Sequence, residues 1–402
     1  MGAQVRPQNL KTKKMDINKI RKDTPGSEFV RHFNNAGASL PTQQVLDATL
    51  RFLKQEALTG GYRFAAQQET EINAFYTEAA KLIHAKPTEI ALTQSASSSL
   101  SLALYAIPFE RGDVILTSEI EYGNNFLNYL NLKESKGVEI RVFPMEKDGD
   151  FDLEKFENYI DRKVKLIAIT HIPTNSGIVF PVAEIGKIAK KHNILYMVDA
   201  CQSIGQFPFD VEEIGCDFCT ATSRKYLRGP RGLGFLYVRE SVMESLSPVF
   251  LEMLFADWKS ETDYQLNRSA KMFETWEKPY SLMVGFTAAI RYANELGMVN
   301  IWERVQHLAD YLRQQLAAIE GVTIHDIGPI KCGIVSFTKS GVSPEKLQQY
   351  LQSLEINTSV SGRFSSVLDM DNRGLSAVNR ASVHYFNTES EIELLVDAIL
   401  KF

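Results

Sequence analysis

The amino-acid sequence predicts an α/β protein, with a large, mostly parallel, seven-stranded-type sheet domain followed by a smaller C-terminal α+β domain. Three observations predict it. From about residue 90, short apolar runs alternate with stretches of helical period, the pattern of strand–helix units that cover both faces of a sheet. The apolar runs are near-continuous, as strands buried on both faces must be. After about residue 265 the alternation gives way to two long helical patterns and then to further strand–helix–strand units. The expected organisation is an N-terminal arm over 1–30, a large domain over 31–265 and a small domain over 266–402.

In chain order, residues 90–93 read as a strand and 97–107 as the helix after it. Residues 113–117 and 138–143 are strands, and 153–160 is a helix opened by Asp152, whose carboxylate suits an N-cap. An Ile-rich strand over 165–171 leads to a helix over 182–192, then to short apolar strands at 194–199, 218–221 and 234–238. In the second part, 282–296 and 301–320 are helices, 322–324 and 333–337 strands, 344–354 a helix and 380–385 a strand. Thr388 and Glu391 form a capping box that opens a last helix over 389–400.

Composition narrows the function classes. The chain has 402 residues, of which 44% are hydrophobic and 23% charged, with a formal net charge of -5. That mild acidity argues against nucleic acid as partner. No apolar run approaches the roughly 20 residues that cross a bilayer, and the polar, basic stretch over 1–22 lacks the apolar core of a signal peptide. Met1-Gly2 is followed at position 6 by Arg6, where myristoylation wants Ser or Thr. Four cysteines, Cys201, Cys216, Cys219 and Cys332, are too sparse for a disulfide scaffold and suit a reduced, cytoplasmic setting. Cys216 and Cys219 have no second Cys/His pair and read as buried thiols. The histidines show no H-E-x-x-H spacing, so no metal site is expected. Gly229-x-x-Gly232-x-Gly234 leads into a strand, so the dinucleotide fingerprint fails.

In open α/β sheets, ligands bind outside the carboxyl ends of the strands. That rule gathers Ser95–Ser98, Tyr122, His171–Asn175, Asp199, Gln202 and Thr222–Lys225. Lys225 follows a strand between Arg224 and Arg228; an aldehyde cofactor needs an amine that is partly neutral, a state that burial and nearby cations favour. Asp199 ends a strand of five apolar residues, where a carboxylate can keep a pyridine nitrogen protonated. Gln202 is in reach of a phenolic oxygen on the same ring. Ser95-Ala96-Ser97-Ser98-Ser99, between a strand and a helix, offers N–H groups and hydroxyls to a phosphate. The combination describes pyridoxal 5′-phosphate (PLP).

Four ordered segments carry a resemblance. They are His32-Phe33-Asn34-Asn35-Ala36-Gly37, Val198-Asp199-Ala200-Cys201-Gln202, the run from Ser223 through Lys225 to Gly232, and Arg380-Ala381-Ser382-Val383-His384-Tyr385-Phe386-Asn387-Thr388. Over about residues 30–400 the chain resembles the class V aminotransferase family of PLP enzymes, which includes cysteine desulfurases, isopenicillin N epimerase and ergothioneine-pathway C–S lyases. The resemblance implies the type I PLP-transferase fold and a homodimer with active sites at the subunit boundary. It implies Lys225 as Schiff-base lysine, Asp199 as ring-nitrogen partner and Gln202 on the phenolic oxygen. Ala96, Ser97 and Thr222 would bind phosphate, Tyr122 would stack on the ring, and Thr174 would contact cofactor or substrate. Arg380 would clamp the α-carboxylate of an amino-acid substrate, with Asn35, Tyr62 and Arg63 on the substrate side.

The run from Arg224 to Gly232, Phe273-Glu274-Thr275-Trp276-Glu277 and Gly60-Gly61-Tyr62-Arg63 are most similar to the C–S lyase and epimerase-like branch. Cysteine desulfurases carry a mobile nucleophilic cysteine upstream of the arginine; here Ser359-Val360-Ser361-Gly362-Arg363-Phe364-Ser365-Ser366 holds none. The expectation is therefore β-elimination from a cysteine-derived thioether or sulfoxide, with Lys225 as base. Transamination, epimerisation, a desulfurase-like reaction and PLP binding without catalysis remain open alternatives.

Overall fold

A computed structural model describes residues 15–402. Residues 1–14, with Met1-Gly2 and Arg6, lie outside the described residues. Within the stretch expected as an arm, Asp16 caps a short helix, Ile17–Lys22, by accepting from the Lys19 N–H at 3.0 Å. Arg21 of that helix pairs with Glu391 at 2.8 Å, so this part of the chain is docked on the C-terminal helix Glu389–Lys401.

The large sheet has seven strands: β1 (Ile90–Thr93), β2 (Val114–Ser118), β3 (Glu139–Phe143), β4 (Val164–Thr170), β5 (Leu195–Asp199), β6 (Phe218–Thr222) and β7 (Gly234–Val238). They lie in the order β1-β7-β6-β5-β4-β2-β3, with β7 antiparallel to both neighbours and every other pairing parallel. The near-continuous apolar runs have the expected cause: all five residues of β2, β6 and β7 are buried. The central register sets Thr170 beside Asp199 and Asp199 beside Thr220, so β4 and β5 end level with one another and β6 runs two residues further, to Thr222. Helices Ala96–Ala106, Gly123–Lys136 and Val182–Lys191 connect the parallel strands.

A second sheet follows, with β8 (Val322–Ile324), β9 (Ile334–Lys339), β10 (Ser359–Gly362) and β11 (Ala377–Ser382) in the antiparallel order β8-β9-β11-β10. Helices Tyr280–Leu296 and Met298–Ala317 precede it. One apolar cluster runs through both parts, from Phe52 and Ile167 to Val305 and Leu395. Among the described residues, no helix is long and apolar enough to cross a membrane.

Some boundaries differ from the sequence expectation for local reasons. The helix expected over 153–160 stops at Glu157, and Arg141 holds the Tyr159 carbonyl at 2.5 Å just beyond it. The strand expected over 380–385 instead runs Ala377–Ser382. The Ser382 carbonyl accepts from Asn35 at 2.7 Å, and the His384 N–H turns to the Asn387 side chain at 2.8 Å. Residues 38–89, without strand–helix alternation, fold largely as helices Gln43–Thr59, Gly61–Gln67 and Glu69–Ile83. A hairpin of Ala256–Ser260 and Asp263–Leu266 is a further element with no apolar signature, since most of its side chains are exposed.

Candidate active site

The crevice is built from the carboxyl ends of β1, β2, β4, β5 and β6, so residues far apart in sequence meet there. Asp199 closes β5 and is buried, and both its oxygens are held. Oδ1 accepts from the Cys201 N–H at 2.9 Å and the Thr220 hydroxyl at 3.1 Å, while Oδ2 accepts from Asn125 Nδ2 at 2.8 Å. Lys225 follows β6, and its Nζ donates to Cys201 Sγ at 3.1 Å. No carboxylate pairs with this amine among the described residues, so it is left available as a nucleophile. Burial pushes the Cys201 thiol up, with Lys225 opposing, so the sulfur beside the amine is held protonated.

Arg228 does not share this environment. It adopts a left-handed backbone, φ 62°, and is buried with its guanidinium donating to the Leu40 carbonyl, the Tyr385 hydroxyl and the Thr24 hydroxyl. The cation that stays near the crevice is Arg224, which also bonds the Gly37 carbonyl.

At the end of β1, Ser95 and Ser98 form a capping box at the start of helix Ala96–Ala106. Ser99 bonds back to the Ser95 carbonyl at 3.0 Å. Ser97 takes no part in this network and leaves its hydroxyl unengaged at the helix N-terminus. Gly234 lets β7 pass this turn closely: a Cβ there would lie 2.8 Å from the Ser95 carbonyl carbon and 2.5 Å from the Ala221 oxygen. Thr222 is buried nearby with only a 3.4 Å bond to Leu233. Gln202 gives one N–H to Ala36 at 3.1 Å, and its buried Oε1 has no partner.

These features fit PLP. Lys225 would hold the aldehyde carbon, Asp199 the ring nitrogen and Gln202 the phenolic oxygen. The Ala96–Ser97 turn and Thr222 would hold the phosphate, where a helix N-terminus favours an anion. Tyr122 stands at the edge of the crevice, 38% exposed, and its phenol is influenced by the charges of Asp199, Arg224 and Arg380. Burial pushes the pKa of its phenol above the ordinary tyrosine value, so it presents a neutral ring.

Arg380, on β11, enters from the second sheet. Its Nη1 donates to Thr174 Oγ1 at 2.6 Å and to the Thr174 carbonyl at 3.1 Å; its Nε donates to Ser359 Oγ at 3.1 Å. It is a buried cation with no carboxylate partner among the described residues, and burial lowers its ionisation from the usual arginine value. A buried guanidinium oriented by neutral groups is arranged to receive an external anion.

Three residues assigned to the substrate make other contacts within their own chain or stand exposed. Asn35 is fully buried, donates to the His32 and Ser382 carbonyls and accepts from Ser39 at 2.7 Å; it holds its loop to β11. Tyr62 and Arg63 lie exposed on helix Gly61–Gln67, with Tyr62 near Tyr280. His171, at the end of β4, is buried against Phe207 and Phe209, and burial lowers it to about 3, which leaves it neutral.

Two groups were missed by the sequence reading, Asn125 and Glu121. Glu121 precedes helix Gly123–Lys136 and Asn125 lies four residues on, a spacing that stacks them on one side of the helix start. Cys216 and Cys219 are buried as expected, and Cys332 is buried as well.

Comparison with known proteins gives a consistent result. The family model described as aminotransferase class-V matches residues 31–395. A probable cysteine desulfurase from Methanothermobacter thermautotrophicus is 29% identical, with 94% of this chain and 96% of that protein covered. A cysteine desulfurase from Haloferax volcanii is 26% identical, over 92% of this chain and 88% of that protein. The solved apo structure of a cysteine desulfurase from Thermococcus onnurineus superposes with a TM-score of 0.91 at 27% identity, covering 96% and 98% of the two chains. With PLP-family folding, a matching donor set and a family match along most of its length, this chain belongs to the class-V aminotransferase family and is a PLP-dependent enzyme.

Proposed function

We propose that this enzyme is a C–S lyase: it cleaves the Cβ–S bond of a cysteine-derived thioether or sulfoxide and leaves no sulfur on the protein. The observation that carries the reading is the segment Ser359 to Ser366. It has no cysteine, and it is tied down. Ser366 Oγ donates to the Glu121 carbonyl at 3.0 Å, and the Phe364 carbonyl packs so closely on Gly123 that a Cβ there would lie 2.3 Å away. A sulfur shuttle needs a thiolate on a moving loop; this segment supplies neither.

PLP, when bound, supplies the electron sink that makes the substrate Cα–H bond acidic. Arg380 binds the α-carboxylate and Thr174 keeps the guanidinium aimed. Lys225 Nζ takes the Cα proton, acting as general base once substrate has displaced it. The leaving sulfur departs with the Cβ–S electron pair and gains a proton, and water completes the conversion of the remainder to pyruvate and ammonia. Asp199 would keep the ring nitrogen of the bound cofactor protonated.

A second reading, cysteine desulfurisation with sulfur passed to an external acceptor, is favoured by the similarity to cysteine desulfurases. The two differ in product. Purified enzyme supplied with S-substituted cysteines is expected to release pyruvate and the corresponding thiol. Alanine formed from L-cysteine, with S-substituted cysteines left intact, overturns the lyase reading. Amino-group transfer to a keto acid, or racemised substrate, would point to the transaminase or epimerase alternative.

The proposal includes a homodimer. It gives Tyr62 and Arg63 the substrate role they lack within their own chain, by placing their exposed helix at a partner's crevice. Light scattering on the eluting protein tests it: a monomer removes that role.

A further inference from the structure

Behind Asp199 lies a second buried acid. Glu121 is 3% exposed and sits at the junction of β2, β4, β5 and helix Gly123–Lys136. Its Oε1 accepts from the Tyr122 N–H at 2.7 Å, from Asn125 Nδ2 at 3.0 Å and from the Thr170 hydroxyl. Its Oε2 accepts from Thr117 Oγ1 at 3.1 Å. The same Asn125 Nδ2 donates to Asp199 Oδ2 at 2.8 Å. One amide nitrogen therefore joins the two carboxyl groups with its two hydrogens.

We propose that Glu121 is a positioning residue for the cofactor ring, which through Asn125 orients Asp199 and adds a second negative charge behind the ring nitrogen. The proposal rests on Asp199 being the ring-nitrogen partner.

The orientation follows from donor chemistry. An ionised carboxylate only accepts hydrogen bonds, so an asparagine placed between two of them must turn its NH2 toward both. Glu121 thereby prevents the Asn125 amide from flipping and presenting its oxygen to Asp199. Without it, that end of the Asp199 carboxylate loses its fixed donor.

The charge argument is separate. The titratable groups set against Glu121 are Asp199 and, at 3.5 Å, the Tyr129 hydroxyl; Thr117, Thr170 and Asn125 complete its surroundings. None of these is a cation. Burial, with Asp199 adding to it, raises the Glu121 carboxyl to about 7 despite the donors aimed at it. A protonated ring beside Asp199 is the cation this acid pair lacks: its charge favours Glu121 as the anion, and by linkage Glu121 favours every proton the cofactor carries.

The test uses the PLP-loaded enzyme and compares Glu121→Gln, Asn125→Ala and Asp199→Asn with the parent. The readouts are a pH titration of the bound cofactor's absorption band, PLP affinity of the stripped protein, and kcat and KM. Removing the Glu121 charge is expected to lower the midpoint of the spectral titration by about one pH unit, weaken PLP binding and reduce kcat about tenfold, with KM within about threefold. Asn125→Ala shifts the midpoint the same way by less, and Glu121→Asp restores part of the parent behaviour. If Glu121→Gln fails to fold, Asn125→Ala and Glu121→Asp still carry the test. A folded, fully loaded Glu121→Gln enzyme with the parent's midpoint overturns the proposal, provided Asp199→Asn moves it. If Asp199→Asn leaves the midpoint and affinity unchanged, the underlying assignment of Asp199 is what fails.

Discussion

Lys225 Nζ rests 3.1 Å from Cys201 Sγ, so the neighbour of this amine is a thiol held neutral by burial and not a carboxylate. Replacing Lys225 with alanine is expected to remove the absorption band of covalently bound cofactor and to reduce turnover by at least about a thousandfold.

Cys201 is expected to be dispensable for chemistry. Its thiol is raised by burial, so its thiolate fraction is small at neutral pH and grows only above the ordinary thiol range. Alkylation followed by mass spectrometry should therefore be slow at pH 7 and accelerate as pH rises. Cys201→Ala should keep turnover within about threefold; a complete loss would show that the sulfur takes part in the reaction.

In the proposed reaction, Arg380 and Thr174 divide the work of substrate binding between a charge and its alignment. Arg380→Ala should raise KM for an amino acid by about thirtyfold, in line with loss of a charge-assisted pair worth about 2 kcal/mol. Thr174→Val removes the 2.6 Å acceptor and should raise KM less. Equal KM values for parent and Arg380→Ala would remove the arginine from the carboxylate site.

Arg228 contributes to stability through three bonds, to Leu40, Tyr385 and Thr24, and through its stacking 4.7 Å from the Phe386 ring centre. Arg228→Ala leaves buried acceptors unpaired and a cavity among the rings. It should cost about 3 kcal/mol, measured by denaturant unfolding of the loaded enzyme.

A pH effect is expected at the C-terminal helix. Arg304, bonded at 2.6 Å, holds the Glu389 carboxyl down at about 2. A carboxyl with a lowered folded-state value adds stability above the ordinary carboxylate range, and the gain is lost as pH falls toward about 2. Glu389 is substantially exposed, so solvent screening keeps the effect small. Glu389→Gln should lower Tm at pH 6 and leave it unchanged at pH 2.

Much of the architecture was legible because strands buried on both faces write themselves as apolar runs. β2 through β7 could be located that way, and the strand-end rule then brought Asp199, Thr222 and Lys225 together. Exposed elements carry no such signal, which is why the hairpin Ala256–Ser260 with Asp263–Leu266 was not anticipated. Asn35 shows the converse problem. A polar residue in a recognisable motif can serve a ligand or hold a loop, and only its bonds to His32, Ser382 and Ser39 distinguish the two.

By itself, the sequence determined the fold class and the PLP chemistry and pointed to Lys225 and Asp199 as the pair to serve it, because strand period and motif order are properties of the chain alone. The tertiary structure decided which polar groups face that centre. Arg228 turned to Leu40 and Tyr385, while Arg380 arrived from the second sheet to meet Thr174. Asn125 was drawn between Glu121 and Asp199. Hydrogen-bond direction and burial depend on neighbours that are remote along the chain, and those neighbours are set only when the sheets and helices pack.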